Sequence, residues 1–577
     1  MTDQIAAGPD RAPRRLGLPP DARVALGLAV VAAVALGIAA AVPGVEVPGA
    51  VVFLGFVVGL GYAGMAGSVA LVHRTTGVLP LSALGLGVLG GAVLNRVAGP
   101  YYPSLLLGGV VCATLSVAVG LVAQRRSAWS AMGLTLTLSV AAGGISAWLL
   151  LSERTGALAA RPPGLPQFRV GALLITPAYT AVLGFGAMVV VLLVLLSAVS
   201  PPPWLAWGVL GLVLGVLSAL LLPTQGFTTP GSLERGTVAL LLAGISGLRP
   251  LASIVAGLAF GVFEQLMLWN DPEAGRPPLL LGCVAVVVCA VWAWTQPSGT
   301  ALDVPAPRRV PDLAGSVLVL VAATVAVLAV SDNGTDGIVL GLAVAVGGLS
   351  CVHRLRAPGR GLDLALPVVA GLDAQLCRAL SDHVQDVAVL AVVAVAVGVV
   401  GMALVDVLLG RSTWALPIGG LGLGLAIAYV EAEAGWGRPG FLQVSVLGDD
   451  LVSSRERGLL VVVLTLLVVV AVFLGRGRVL AGVATGFGGL ALGAATPNVT
   501  PALLGTSLAV AVALPAIVSA ARSTTLTLLA TTATFLVGSL VAAHHGATAW
   551  LALIDCAALA LALVVPPLLT RHEPSIG

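Results

Sequence analysis

Long, uninterrupted apolar runs recur from one end of this chain to the other, and they decide most of what it can become. Runs of roughly 18 residues or more, such as "VALGLAVVAAVALGIAAAV" (24–42), can each cross a hydrocarbon layer of about 30 Å as a helix. Transmembrane β-strands are shorter and alternate polar with apolar residues, which these runs do not. Of the 577 residues 58% are hydrophobic and only 9% charged, too few to clothe a water-facing surface. The mean hydropathy of +1.07 agrees. The sequence therefore predicts an all-α, polytopic membrane protein of about 17–20 membrane segments, broken or re-entrant helices included. The 73 glycines suit such a chain, because small residues let helix backbones approach closely in lipid.

Other function classes fall away. The net charge is only +3, and no basic face with interleaved aromatics offers itself to nucleic acid. Cys112, Cys283, Cys289, Cys351, Cys377 and Cys556 show no CxxC spacing and read as small buried hydrophobes rather than a metal or disulfide set. His544-His545 lacks a third ligand at metal spacing. No phosphate-binding loop and no hydrolytic constellation occur, so catalytic residues, metal ligands and a resident cofactor are not expected.

Charge orders the apolar segments. Arg11, Arg14, Arg15 and Arg23 assign the N-terminus to the cytoplasm by the positive-inside rule. Alternating from there, His73-Arg74, Arg125-Arg126, Arg308-Arg309, Arg354 to Arg360, Arg411, Arg476, Arg478, Arg522 and Arg571 fall on the same side. This predicts a multi-pass protein of the cell membrane with both termini cytoplasmic. The parity holds only if 236–268 reverses once, at "SGLRP" (246–250), where glycine and proline break a helix. Two short helices, about 234–246 and 251–268, are expected there. The longest polar loops, 152–178 and 431–457, then lie outside.

The chain starts over after a proline-rich stretch. "LVHRTTGVLPLS" (71–82) and "CVHRLRAPGRGLDLALPV" (351–368) both close the second apolar segment of their half with Val-His-Arg. The division is a cytoplasmic tail (1–23), a first membrane half (24–295), a cytoplasmic linker (296–313), a second half (314–570) and a C-terminal tail (571–577). Parallel internal repeats of this kind suit transporters, with a pathway between the halves.

With that layout the first half resembles the permease subunits of branched-chain amino acid-type ABC transporters. "LVHRTTGVLPLSALGLGVLGG" is similar to the segment after that family's second helix. "RPPGLPQFRVGALLITPAYTAVLGFGAMVVVLLVLL" is similar to its external loop and following helix. "LLLPTQGFTTPGSLERGTVALLLAGISGLRPLASIVAGLAFGVFEQL" is similar to its C-terminal block, ending in the Gly261–Glu264 pattern. The second half resembles the partner permease more faintly, through "AVSDNGTDGIVLGLAVAVGGLSCVHR", "GRGRVLAGVA" and "ATPNVTPALLGTSLAVAVAL". The resemblance implies two permeases fused in one chain. They would move branched-chain amino acids or a related small polar metabolite, with cytoplasmic ATPase subunits and an external solute-binding protein as partners. ATP would be used by those separate subunits.

Thr75, Thr76 and Gly77, together with Ser246 and Gly247, are the candidates for the substrate path, because broken helices free backbone groups that hold polar solutes. The plain alternative is a helix–helix turn. His73, Arg74, His353, Arg354, Arg476 and Arg478 read as cytoplasmic anchors or ATPase-facing groups. Glu264 reads as an interface-level carboxylate beside Asn270 and Asp271. Asp406, Glu431 and Glu433 flank apolar segments rather than sit inside them. The ATPase-docking stretch of the first half is cut to "SPPP" (200–203), and that of the second holds no acid. A permease paralogue acting as a non-transporting scaffold or modulator therefore stays open, as does an ion-driven secondary transporter, which buried acids at helix centres would favour.

Overall fold

The computed structural model describes residues 20–544 except 98, 126–127, 152–161, 172, 200, 226–228, 272–275, 296–308, 330–335, 353–363, 411, 413, 435–444, 447–448, 451–452, 475–477 and 496–523. The chain is an all-α polytopic membrane protein. Among the described residues there are eighteen helices, and eight of them are long and apolar enough to cross a membrane. The first ten are α1 (Pro20–Ala41), α2 (Gly49–Thr76), α3 (Ala83–Arg96), α4 (Tyr101–Ala123), α5 (Ala128–Leu151), α6 (Pro177–Val199), α7 (Pro203–Gln225), α8 (Thr229–Ile245), α9 (Pro250–Asn270) and α10 (Arg276–Thr295). The next eight are α11 (Arg309–Ala329), α12 (Asp336–Val352), α13 (Ala365–Ser381), α14 (Val387–Leu408), α15 (Ala415–Ala434), α16 (Ser454–Leu474), α17 (Arg478–Ala495) and α18 (Thr524–His544). Several begin on proline, whose missing N–H costs nothing at a first helical position.

One packing plan occurs twice. In the first half α2 lies along α9, α4 along α7, and the short α3 fits among α4, α5 and α7. In the second, α12 lies along α18, α14 along α17, and α13 fits among α14, α15 and α17. A small antiparallel hairpin precedes the sixth helix of each plan: β1 (Phe168–Val170) with β2 (Leu173–Ile175) before α6, and β3 (Ser445–Val446) with β4 (Asp449–Asp450) before α16. The linker 296–308, the tails 1–19 and 571–577, and the expected segments 501–521 and 549–569 lie outside the described residues.

Glycine sets how close the helices come. Gly55 and Gly59 on α2 face Gly257 and Gly261 on α9, and a Cβ on Gly55 would stand 2.5 Å from the Val262 Cα. The seam between the halves is α10 on α15, where Gly282 and Gly422 oppose each other. Trp292 and Trp414 meet across it with ring centroids 6.3 Å apart, and Trp294 Nε1 donates to the Val407 carbonyl at 3.0 Å. The outward faces are apolar: Val30, Val31, Val34 and Ile38 on α1, and Val392, Val400 and Leu404 on α14, are exposed. With no driving force to bury them in lipid, these side chains suit hydrocarbon.

The expected reversal at 246–250 is present. Leu248 N–H bonds the Ala243 carbonyl and Gly247 N–H the Gly244 carbonyl, the pair of bonds that closes a helix on a left-handed residue. Gly247 has φ +66°, and Pro250 opens α9. Ser246 Oγ and Ser253 Oγ lie 2.9 Å apart, whereas a straight helix would separate their residues by about 10 Å. The reversal is buried against protein, with Leu248 only 5% exposed, as backbone groups released from a helix within a membrane must be. Replacing Gly247 with alanine is expected to cost about 1–2 kcal/mol for the left-handed backbone. The added Cβ would also press on Trp292 Cζ2, at 2.9 Å. A lowered thermal unfolding midpoint in detergent is the readout.

A distant acid holds the start of α9. Asp21, in the first turn of α1, accepts from the N–H groups of Leu251 and Ala252, each at 3.3 Å. A carboxylate at a helix N-terminus satisfies orphan donors and complements the dipole. Asp21→Ala is expected to cost about 0.5–2 kcal/mol, seen as a lower unfolding midpoint and faster proteolysis within 20–48.

Candidate functional site

The residues expected to line a path around Gly77 form a helix ending. Thr75 Oγ1 donates to the Leu71 carbonyl at 3.0 Å and Thr76 Oγ1 to the Val72 carbonyl at 2.7 Å. Gly77, at φ +71°, returns its N–H to His73 at 2.8 Å. The Val78 N–H then donates to Thr76 Oγ1 at 3.2 Å. The hydroxyls thus serve the helix itself, and the unwound stretch lies one step later, at 78–82, where every residue is buried. His73 is half-buried beside this ending. Exposed Arg74 donates through Nη1 to the Ser197 carbonyl at 3.1 Å, tying the end of α2 to the end of α6.

Contacts between helices fix which ends lie together. α2 and α9 run antiparallel, since Gly55 meets Val262, Gly59 meets Leu258 and Gly67 meets Ile254. α4 and α7 do the same, with Gly109 against Leu212 and Gly120 against the Trp207 ring. It follows that Asp21, Arg74, Arg125 and the 246–249 reversal share one end of the first half. Glu46, Asn270 and the β1–β2 hairpin share the other. Ser246 and Ser253 are fully buried at the reversal, each hydroxyl also donating to a carbonyl of its own helix. The Thr75–Gly77 and Ser246–Gly247 sets therefore lie toward the same end, both at helix endings.

The polar interior sits deeper. From Gly77 the chain turns back inward, and the 14-residue α3 starts part-way into the bundle, running antiparallel to α4. The Cys112 thiol donates to the Leu86 carbonyl at 3.2 Å, and Gly108 faces Gly90. Around the start of α3 stand Ser82, Thr135, Ser139 and Ser218, all buried. Thr135 Oγ1 lies 3.5 Å from the Leu79 carbonyl, and Ser82 Oγ has no hydrogen-bond partner. Arg235 on α8 completes this group. It is 4% exposed and donates through Nη1 to the Ser218 carbonyl at 3.4 Å, while its neighbour Gly236 lies against Ala83 and Leu84. A guanidinium so deep in an apolar bundle is costly and is kept for a reason other than insertion.

The second half holds its own buried polar groups, on α13. Asp373 is 0% and Gln375 2% exposed. Gln375 has no hydrogen-bond partner at either amide atom. Neither these residues nor Arg235 stood out in the sequence. Arg235 follows "GSLE" and resembles a polar helix start. Asp373 lies in "VVAGLDAQLCRALSD", which looks amphipathic until twelve of the helix's seventeen residues, Asp373 and Gln375 among them, are seen to be buried. The available signal was an acid within an apolar segment.

Glu264 is more engaged than an interface-level carboxylate. It is half-buried on α9, and Tyr62 Oη donates to its Oε1 at 3.1 Å from α2. His353, Arg354 and Arg476 lie outside the described residues, while Arg478 is the first residue of α17. α6 and α7 are separated only by 200–202, and α16 and α17 only by 475–477.

No protein-family model matches the chain, and no curated protein matches it in sequence.

Proposed function

We propose that the chain is a membrane permease that passes a small polar solute across the cell membrane, the two tandem halves sharing the work. The observation that carries this reading is Arg235. It is an ionisable side chain buried beside the start of a half-length helix, among hydroxyls, in a repeated bundle. Intramembrane ionisable groups that face a bundle interior mark solute and ion pathways, and broken helices at mid-depth are where transporters hold their cargo. A guanidinium next to a helix N-terminus favours a carboxylate. That agrees with the sequence resemblance, which points to branched-chain amino acids or a related metabolite. On this reading the end bearing Arg74 and Arg125 is cytoplasmic, and an external binding protein and separate ATPases supply cargo and energy.

The direct test reconstitutes the full chain in proteoliposomes and follows radiolabelled leucine, alone and with candidate ATPase subunits. Uptake that needs ATP and the added subunits supports the ABC permease. Absence of uptake of any small amino acid under either condition refutes the permease reading.

A second reading, ion-driven transport, is favoured by two specific features. The connections 200–202 and 475–477 are three residues each, too short to hold a docking helix, and Asp373 is an acid enclosed within its helix bundle. Leucine uptake driven by an ion gradient without any ATPase is its expected signature.

A further inference from the structure

The corresponding short helices of the two halves differ in polarity where they cross their long neighbours. In the first, α3 meets α7 glycine to glycine, Gly90 on Gly215. In the second, α13 holds the place of α3 and α17 that of α7, and the residue facing Gly489 is Asp373. A Cβ added to Gly489 would stand 2.5 Å from Asp373 Oδ2 and 2.7 Å from the Ala370 carbonyl. The carboxyl is therefore lodged against helix backbone with no spare volume on that side. Gly489 lies about 16 Å along α17 from its first residue, close to half of a hydrocarbon core of about 30 Å.

Little answers a charge at this position. The Cys377 thiol, one turn along the same face, donates to Oδ1 at a long 3.7 Å and is itself shared with the Leu390 carbonyl of α14. Oδ2 has no hydrogen-bond partner. Among the described residues, the charged positions of the packed elements lie elsewhere along their helices. Arg378 stands five residues on, about 140° around the helix. Asp386 is exposed and caps α14 through the Ala388 N–H at 2.8 Å, and Asp406 is near the far end of that helix. Glu431 and Glu433 belong to the last turn of α15, and Arg478 starts α17. Only one unengaged carboxyl oxygen is on offer, with glycine backbone against it. A metal cation, which needs several oxygen ligands, does not suit such a place; a proton does.

We propose that Asp373 is a proton-binding site of the second half, exchanging its proton with the aqueous phase. A lone pair on Oδ2 takes the proton from hydronium or water to form an O–H group, and the same bond breaks to return it. Loss of the proton leaves a charge against Gly489 with nothing to pair it, which favours parting of α13 from α17 and entry of water. In the first half α3 carries no acid, so its crossing with α7 has no such response. The inference stands on this crossing alone, whatever energy source drives the protein.

The test is infrared spectroscopy of the full chain in lipid nanodiscs at neutral pH, in H2O and in D2O. Asp373→Asn is compared with Asp373→Gly, which keeps the assay alive if one variant misfolds. The expected difference spectrum, wild type minus variant, contains the C=O stretch of a protonated carboxylic acid, and that band moves to lower frequency in D2O. A difference showing only ionised-carboxylate stretches overturns the proposal, and so does a protonated band that stays unmoved after prolonged exchange.

Discussion

Replacing Gly261 with leucine is expected to abolish recovery of a monodisperse, folded protein from detergent extracts. Gly261 stands at the antiparallel crossing of α2 and α9, where its missing side chain admits the backbone of Gly59 and Gly55. A Cβ there would lie 2.6 Å from the Gly55 carbonyl oxygen and closer still to Gly59. The atoms in the way are backbone, so no rotamer change relieves the overlap and the helices must part. Overpacking a core typically costs about 1–3 kcal/mol when side chains can shift; a leucine against two glycine backbones exceeds that range. The loss spreads because α2 is buried from Val57 to Val72 and is the element around which α6, α7, α8 and α9 assemble. The control is Gly37→Leu on α1, where nothing stands within 4 Å of an added Cβ. That variant is expected to behave as wild type in size-exclusion profile and unfolding midpoint. Equal recovery of both variants would show that the α2–α9 crossing does not have this spacing.

The second large effect separates stability from function. Arg235→Leu is expected to remain folded and to lose solute transport, a drop of tenfold or more in initial uptake. The physical reason is that arginine at a helix centre costs about 2.5–3.5 kcal/mol on insertion scales, while leucine is favourable. The hydrogen bond from Nη1 to Ser218 at 3.4 Å is long, and a hydrogen bond to a charged group returns only about 1.5–3 kcal/mol even when well formed. Relief of that insertion cost offsets the loss of the guanidinium's hydrogen bonds. A solute carboxylate held by that guanidinium would lose its partner entirely. Arg235→Lys keeps the charge without the forked geometry and is expected to retain part of the uptake with weaker apparent affinity. Full transport by the leucine variant would remove Arg235 from the path. Collapse of the fold in both variants would make it a structural tie instead.

Local hydropathy and turn chemistry carried much of the architecture. Continuous apolar runs mark helices wherever they occur, since a backbone in lipid must satisfy its own hydrogen bonds. Membrane class and most helix positions are therefore properties of short segments. The reversal at Gly247 and Pro250 was legible for the same reason: a residue free to take φ +66° and a ring that starts a helix are readable within five positions. The duplicated plan showed itself in the two Val-His-Arg phrases because both close the same kind of segment.

What the interior contains was decided elsewhere. Thr75 and Thr76 read as candidates for a solute path or as a plain helix turn, and only the fold shows each hydroxyl bonded to a helix carbonyl one turn back. Arg235 looked like part of a polar helix start and Asp373 like the polar side of an amphipathic helix, because burial is not a property of a residue's neighbours in sequence. It depends on α3 and α13 being enclosed by helices that lie far along the chain. Asp21 capping α9 across some 230 positions, and Gly282 opposing Gly422 at the seam, are likewise pairings that no local pattern encodes. The sequence by itself determined a helical membrane bundle of repeated segments, through forces that act within one turn or one span. Only the tertiary structure decided which ionisable groups lie at its centre, because their cost and use arise from contacts between segments that sequence spacing does not relate.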